Sequence, residues 1–309
     1  MNSPHANAAS HPDEARRRGL WALVSAFTIW GLLPLYLRPL GAVPAAQIMA
    51  HRSLWCCVCV LGWLAIAGEL GQVWRALGAA STRLRLSATA CLITTNWLVY
   101  VWSVGHGRVV EASLGYFINP LVNVLLGVLV LRERLQRPQW LAVALAGAGV
   151  VYLTWLAGKP PFIALVLAVS FSAYGLLRKT VAVEPLAGLA AETLLIAPLS
   201  AAYLLWSELH GTGSLGHSGS VVNGLLLLGG PLTAIPLGLF AFGARRVAYA
   251  TVGLFQYIGP SMQLLLGVFL YREPFTPARA LGFACIWAAL ALYAWDGLRR
   301  ARVTRPRTA

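Results

Sequence analysis

Acidic residues are scarce in this chain: ten aspartates and glutamates in 309 residues, against 24 lysines and arginines. All charged residues together make up 11% of it, where a soluble domain carries about a quarter. With 58% of the residues hydrophobic, the polar surface that a water-soluble globule needs is missing. Catalytic signatures are missing too. No G-x-x-x-x-G-K-[ST], H-E-x-x-H or G-x-S-x-G occurs. That removes the P-loop, zincin and nucleophile-elbow chemistries, and the lone serines and aspartates compose no hydrolase set. Cysteine is limited to Cys56, Cys57, Cys59, Cys91 and Cys285, all inside apolar runs. Cys56 and Cys59 share a helix face, but no histidine stands at zinc-finger spacing, and a thiol packs as an ordinary small apolar group. The expectation is no enzyme, no cofactor and no metal.

What is present is a series of apolar runs of roughly 17–22 residues, the length at which a helix crosses a ~30 Å hydrocarbon layer. Short alternating segments, which a membrane β-barrel would need, are not the pattern. The fold class expected is an all-α polytopic membrane protein with ten transmembrane helices. The spans fall near Leu20–Leu37, Gln47–Ala67, Leu86–Val104, Ala112–Leu131, Gln139–Leu156, Phe162–Leu177, Gly188–Trp206, Val221–Phe242, Tyr249–Leu270 and Ala280–Trp295. Arg16-Arg17-Arg18 precede the first run as they would a signal peptide, but the run is long for one and nine more follow.

The net charge of +14 does not point to nucleic acid, because the basic residues sit in short loops between spans. With the amino terminus in the cytoplasm, 18 of the 24 basic residues fall inside, five fall outside, and Arg52 is left within a span. That bias fits cytoplasmic termini and affinity for lipid headgroups.

The run from Glu111 to Glu133, EASLGYFINPLVNVLLGVLVLRE, has an echo at Ala250–Glu273. The offset is 140 from Pro120/Pro260 onward and 138 before it, as in Gly115/Gly253 and Arg108/Arg246. Two copies mean an internal duplication. Each copy holds five spans, an odd number, so the two must cross the membrane in opposite senses. Such inverted-topology repeats serve alternating access around a midplane site. The organisation expected is a disordered cytoplasmic segment 1–18, a first repeat 19–157, a second repeat 161–296 and a basic tail 297–309.

Polar groups inside hydrocarbon usually face a cavity or the bundle interior. The candidates are His51 and Arg52 in the second span; Asn96, Trp97 and Tyr100 in the third; Glu111, Tyr116, Asn119 and Asn123 in the fourth; Glu192 in the seventh; and Gln256, Tyr257 and Gln263 in the ninth. Arg52 and Glu192 are 140 residues apart and carry opposite charges. Inversion puts them at opposite depths, roughly 15 Å apart along the membrane normal at 1.5 Å per residue, which disfavours a direct salt bridge. Pro120 and Pro260 are candidate hinges, because proline removes an intrahelical bond and frees a carbonyl. Small residues stripe spans five and ten, at Ala144, Ala148 and Gly149 and at Ala284, Ala288 and Ala289. These two helices should pack on each other or on a second copy in a homodimer.

The segments His51-Arg52-Ser53, Asn96-Trp97, the run from Glu111, Tyr174-Gly-Leu-Leu-Arg-Lys179, Glu192-Thr193 and Phe255-Gln-Tyr-Ile-Gly-Pro260 resemble the RarD proteins of the EamA family, in the drug/metabolite transporter superfamily. The resemblance covers about residues 15–300. It departs from the pattern at Gln47, where an acidic residue would be expected. It implies two inverted five-helix EamA repeats, cytoplasmic termini and a bacterial inner-membrane permease that exports a drug or metabolite. The function expected is a secondary transporter of a small molecule working by alternating access, with proton coupling open. A passive facilitator, or a non-transport membrane protein such as a sensor or assembly factor, is the alternative.

Overall fold

A computed structural model describes residues 10–132, 137–158, 160–244, 246–247 and 255–303. Among these residues all regular structure is helical. Helix α1 runs Ser10–Leu37, α2 Ala45–Ile66, α3 Leu70–Gly78, α4 Ala80–Gly105, α5 Val109–Leu131, α6 Arg137–Ala157 and α7 Phe162–Lys179. Then come α8 Pro185–Leu209, α9 Ser220–Leu228, α10 Pro231–Ala244, α11 Ile258–Leu265 and α12 Pro277–Val303. The echo residues Ala250–Gly253, and Glu133 of the first copy, lie outside the described residues, as does the start of the ninth span.

Seven helical stretches are long and apolar enough to cross a membrane: most of α1, α2, α5, α6, α8, α9 with α10 taken together, and the first twenty residues of α12. Stretches 162–178 and 258–270 are shorter apolar helices. Helix α4 has the length but carries Thr89, Asn96 and Ser103, all buried in the bundle rather than turned to lipid. Its composition therefore understates how well it sits among other helices. Helix α1 starts at Ser10, ahead of the first apolar run, and Arg18 pairs with Glu14 at 2.6 Å one turn earlier. Helix α3 is a short amphipathic segment that buries Val73 and Ala76 and leaves Trp74 exposed.

The helices pair by close approach of small faces, as they do where lipid removes the ordinary hydrophobic drive. Helices α6 and α12 form the most extensive pair. Gly149 comes so near Gly282 that a Cβ there would stand 3.0 Å from the Gly282 carbonyl oxygen. The stripe in contact is Ala142, Ala146 and Gly149 against Gly282, Ile286 and Ala289. Of the expected stripe only Gly149 and Ala289 belong to it. Ala144, Ala148, Ala284 and Ala288 are exposed, because the true seam follows the i, i+4, i+7 face that carries Ala142. The other main pairs are α2 with α8, α5 with α7, α1 with α10, α4 with α7 and α1 with α11.

The expected hinges fall differently in the structure. Helix α5 continues through Pro120 without interruption. Pro260 is the third residue of α11, in the first turn, where a missing N–H costs no helical bond. Breaks lie at Gln256-Tyr257, just ahead of Pro260, at Gly229-Gly230, which parts α9 from α10, and in a wide π-type turn at Leu266–Leu270. Arg132 and Arg272, 140 positions apart, both take left-handed backbone angles, φ 56° and 53°, just past the ends of their helices.

Candidate functional site

From its third residue α2 is buried for two turns without a break: Gln47, Ile48, Met49, Ala50, His51, Arg52 and Ser53 are all enclosed. Helix α8 covers one face, and the α9–α10 break covers another. At that break Gly230 lies against the Trp55 backbone, and Thr233 follows one turn on. The Arg52 Nε donates to Thr233 Oγ1 at 2.6 Å, and the Thr233 hydroxyl donates in turn to the Gly229 carbonyl at 2.8 Å. The Arg52 guanidinium carbon sits 4.7 Å from the centre of the Trp97 ring on α4, within cation–π range.

A narrow cavity lies between α2, α4 and α8, with Trp97 in its wall. Ser53, Thr94, Trp97, Glu192 and Thr193 supply its polar lining, and Ile93, Leu189 and Ile196 much of its apolar one. Glu192 is only 2% exposed. Its carboxylate accepts from Thr89 Oγ1 at 2.7 Å and from the Tyr174 hydroxyl at 3.3 Å, and it stands 3.6 Å from Arg178 Nε. Glu192 lines this cavity, whereas Arg52 reaches it only through the Trp97 ring, and among the described residues no ion pair joins the two. A larger, open groove lies between α5, α11 and α12, lined by Phe117, Tyr257, Ser261, Trp287 and Leu290. It holds no charged group, and no set of polar groups converges on it.

The remaining sequence candidates separate into three groups. Several hold helices together, although Asn119 Nδ2 and Gln263 Oε1 stay buried without a partner. Asn96 Nδ2 donates to the Leu167 carbonyl and to Ser170 Oγ on α7, both at 2.9 Å, and its Oδ1 accepts from the Tyr116 hydroxyl at 3.2 Å. Asn119 takes a bond from Ser172 on α7. Gln263 donates to the Trp30 carbonyl at 3.1 Å. Glu111 accepts from the Ile163 amide at the start of α7, at 3.3 Å, with Arg108 at 3.8 Å. Others stand apart from the cavity: Asn123 is exposed, Tyr257 belongs to the apolar groove, and Gln256 is half-buried in the turn ahead of α11. A third group is buried with an unspent polar atom, namely His51 Nδ1 and Tyr100 Oη, and Trp55 Nε1, which was not a candidate, is in the same state.

Gln47 is held by an amide's two chemistries at once. Its Nε2 donates to the Thr212 carbonyl at 2.7 Å and its Oε1 accepts from the Ser214 amide at 3.0 Å. A carboxylate could make only the second bond. The ionic role expected of an acidic residue there is replaced by a neutral clasp on the α8–α9 loop.

Sequence reasoning missed Thr89, Tyr174, Arg178 and Thr233 as partners of the two charges. A signal existed for two of them: Tyr174 and Arg178 are four apart, so they share a face of α7. It also missed Glu273, whose carboxylate accepts from the Val109 and Val110 amides at 2.5 and 2.8 Å and so closes the start of α5. Among the described residues no cluster of His, Cys, Asp and Glu is arranged to hold a metal, and the five cysteines are free.

Comparison with known proteins gives the same frame. Residues 17–155 match the model of the EamA-like transporter family. A transporter of Vibrio cholerae is 42% identical over 95% of this chain and 98% of its own. Protein RarD of Salmonella typhi is 42% identical over 91% of this chain and 96% of its own. A protein known from its crystal structure, 21% identical, shares the fold with a TM-score of 0.61 over 90% of this chain and 97% of that one.

Proposed function

Because this chain belongs to the EamA-like transporter family and is a multi-pass membrane protein, we propose that it is a secondary transporter of the bacterial inner membrane that exports a small metabolite or drug-like molecule by alternating access. Ten spans in two inverted five-helix repeats, 19–157 and 161–296, carry the motion. The three helices that fall short on length or apolarity, α4, α7 and the 258–270 stretch, complete the ten.

The observation that carries this reading is the helix pairing. If each helix of the first half corresponds to the one five spans later, α1 with α11 corresponds to α7 with α5. In the same way α1 with α10 corresponds to α7 with α4. The pairs α2–α8, α6–α12 and α5–α11 correspond to themselves, and every one of these contacts occurs. Matching left-handed residues at Arg132 and Arg272 support the same two-fold relation. Two equivalent halves meeting along self-related pairs can rock without changing which helices touch, which is what alternating access requires.

In this reading the cavity between α2, α4 and α8 is the transport site. Trp97, with Arg52 stacked on its ring, and Glu192, held from behind by Thr89, Tyr174 and Arg178, both line it. Glu192 is a buried carboxylate able to exchange a proton, which makes the proton the coupling ion we infer. Both termini lie on the cytoplasmic side, as the distribution of basic residues favours. The test is flux in proteoliposomes with an imposed proton gradient. Gradient-driven movement of a small molecule that stops with Glu192→Gln supports the reading. Movement only down the solute's own gradient would make the protein a facilitator, and no movement of any solute class would overturn transport itself.

A further inference from the structure

Arg52 is 2% exposed, yet no carboxylate answers its charge. Among the described residues the neighbours able to interact with it electrostatically are Tyr36, Cys56, Tyr100 and Tyr116, and none is an acid. The acidic groups near other spans are engaged elsewhere. Glu192 is with Arg178, Glu111 with Arg108 and the Ile163 amide, and Glu273 with the Val109 and Val110 amides. A buried cation without a counter-charge carries a desolvation cost of several kcal/mol, which proteins ordinarily remove by pairing.

The way the guanidinium is held says what the missing partner looks like. Its Nε side is fixed by Thr233, and its face lies on Trp97. The two terminal nitrogens make no hydrogen bond to a described residue. They form the end-on edge of the fork, whose spacing matches the two oxygens of one carboxylate. Tyr100 stands beside it, buried, with a hydroxyl that has no partner. Tyr36 and Tyr116, by contrast, have theirs in the Leu225 carbonyl and Asn96. One cation with a fixed rear edge, an open front edge and an unspent hydroxyl is a built anion site. The narrow cavity on Trp97 lies beside this site, and its lining mixes Ser53, Thr94, Glu192 and Thr193 with Ile93, Leu189 and Ile196.

We infer that Arg52 is an anion-binding centre of the transporter and that its substrate is an organic carboxylate. The inference rests on the transporter reading above and names its substrate class. Glu192 does not repel such a ligand as a bare charge would, because Arg178 already faces it.

The experiment is thermal stabilisation of the detergent-purified full chain, followed by flux in proteoliposomes. The probes are benzoate, hexanoate and N-acetylphenylalanine, each against its amide, with benzylamine, phenylphosphonate and sodium chloride as further arms. The acids should stabilise the protein and the amides and amine should not. Arg52→Gln should weaken acid binding by at least ~30-fold, the scale of a lost charge-assisted pair. Tyr100→Phe removes a hydroxyl that bonds nothing in the protein, so it should leave thermal stability intact and weaken acid binding ~5-fold. That second variant decides the matter if Arg52→Gln does not fold. Amides binding as well as acids, phenylphosphonate or chloride binding in place of every carboxylate, no acid binding at all, or full acid affinity in both variants would each overturn the assignment. If only neutral or cationic solutes cross the membrane, the anion site falls and transport stands. If acids bind in detergent but no solute crosses, transport falls and the anion site stands.

Discussion

Gly230 and Trp55 touch backbone to backbone: a Cβ placed on Gly230 would lie 2.5 Å from the Trp55 carbonyl carbon and 2.6 Å from its oxygen. No flexible side chain is available to give way there, so a methyl group must push α10 off α2. Thr233, three residues on, would move with it and leave the Arg52 Nε. Gly230→Ala should therefore destabilise the protein by about 1–3 kcal/mol, the usual cost of overpacking, and lower transport further than stability alone predicts. Gly224→Ala, on α9 with nothing within 4 Å of its added methyl, is the control. It should be neutral or up to about 1 kcal/mol stabilising through helix propensity. Thermal melts of the two variants, with flux measured in parallel, check both signs.

Gln47→Glu tests the clasp on the α8–α9 loop. The substitution keeps the shape but replaces the Nε2 donor with an anionic oxygen facing the Thr212 carbonyl, 2.7 Å away in the native protein. Two acceptors then face each other in a site where Gln47 is 1% exposed. A loss of about 1–3 kcal/mol is expected, as for a buried unsatisfied group. Gln47→Ala removes both bonds but leaves no charge, so it should cost less than Gln47→Glu. The order of the two melting temperatures is the readout.

How far the sequence reached is clearest at a few residues. The apolar runs located the helices, because hydrocarbon demands a length and a composition that any sequence must display. The Arg-Glu pairs at 132 and 272 echo each other in the sequence, and both arginines share one unusual backbone angle. Proline marked only one of the helix breaks, the turn at Gln256-Tyr257 just ahead of Pro260. Pro120 stays within α5, and Pro260 falls in a first turn that tolerates it. Gly229-Gly230 breaks the eighth span instead, since glycines let α10 lie on α2. Arg52 and Glu192 stood out as charges in apolar surroundings. Their partners Thr233, Thr89 and Tyr174 did not, because a hydroxyl in a membrane helix can as well bond its own preceding turn. Asn96 looked like a cavity group and proved to be a three-way link, since one sequence cannot say which helix stands opposite a polar side chain.

Glu273 offers a pH-dependent link. Burial raises its carboxyl above the ordinary carboxylate value, while the Val110 and Val109 amides and Arg279 pull the other way without cancelling the rise. Between the ordinary value and the raised one, the folded chain binds more proton than the unfolded chain. Stability through this group therefore falls as pH rises across that window, and acidification into it stabilises. Glu273→Gln removes that slope. It also loses the anion at the start of α5, at a cost of about 0.5–2 kcal/mol near neutral pH. The difference between wild-type and variant melting temperatures should widen as the pH is lowered through the window, because only the wild type gains stability there. A difference that shrinks on acidification would mean that the hydrogen bonds, not burial, control the group.

Arg178 and Glu192 set the last prediction. Glu192 is buried with three partners, and the Arg178 side chain is 15% exposed with its Nη1 buried and unpaired. Breaking a buried pair from one side leaves an uncompensated charge, and that costs about 3–5 kcal/mol. Glu192→Gln leaves the Arg178 cation, and Arg178→Gln leaves the Glu192 anion, so each single change should be costly. The double variant carries two neutral amides of similar shape and should recover most of the loss, a coupling of more than about 1 kcal/mol. Thr89→Ala should be milder, about 1 kcal/mol, because Tyr174 and Arg178 still face the carboxylate. In transport the order should differ. Glu192→Gln and the double variant should both lack proton-driven movement, although only the first is unstable. Recovered stability with recovered coupling would mean that the pair is a brace between α7 and α8 and that the proton travels elsewhere.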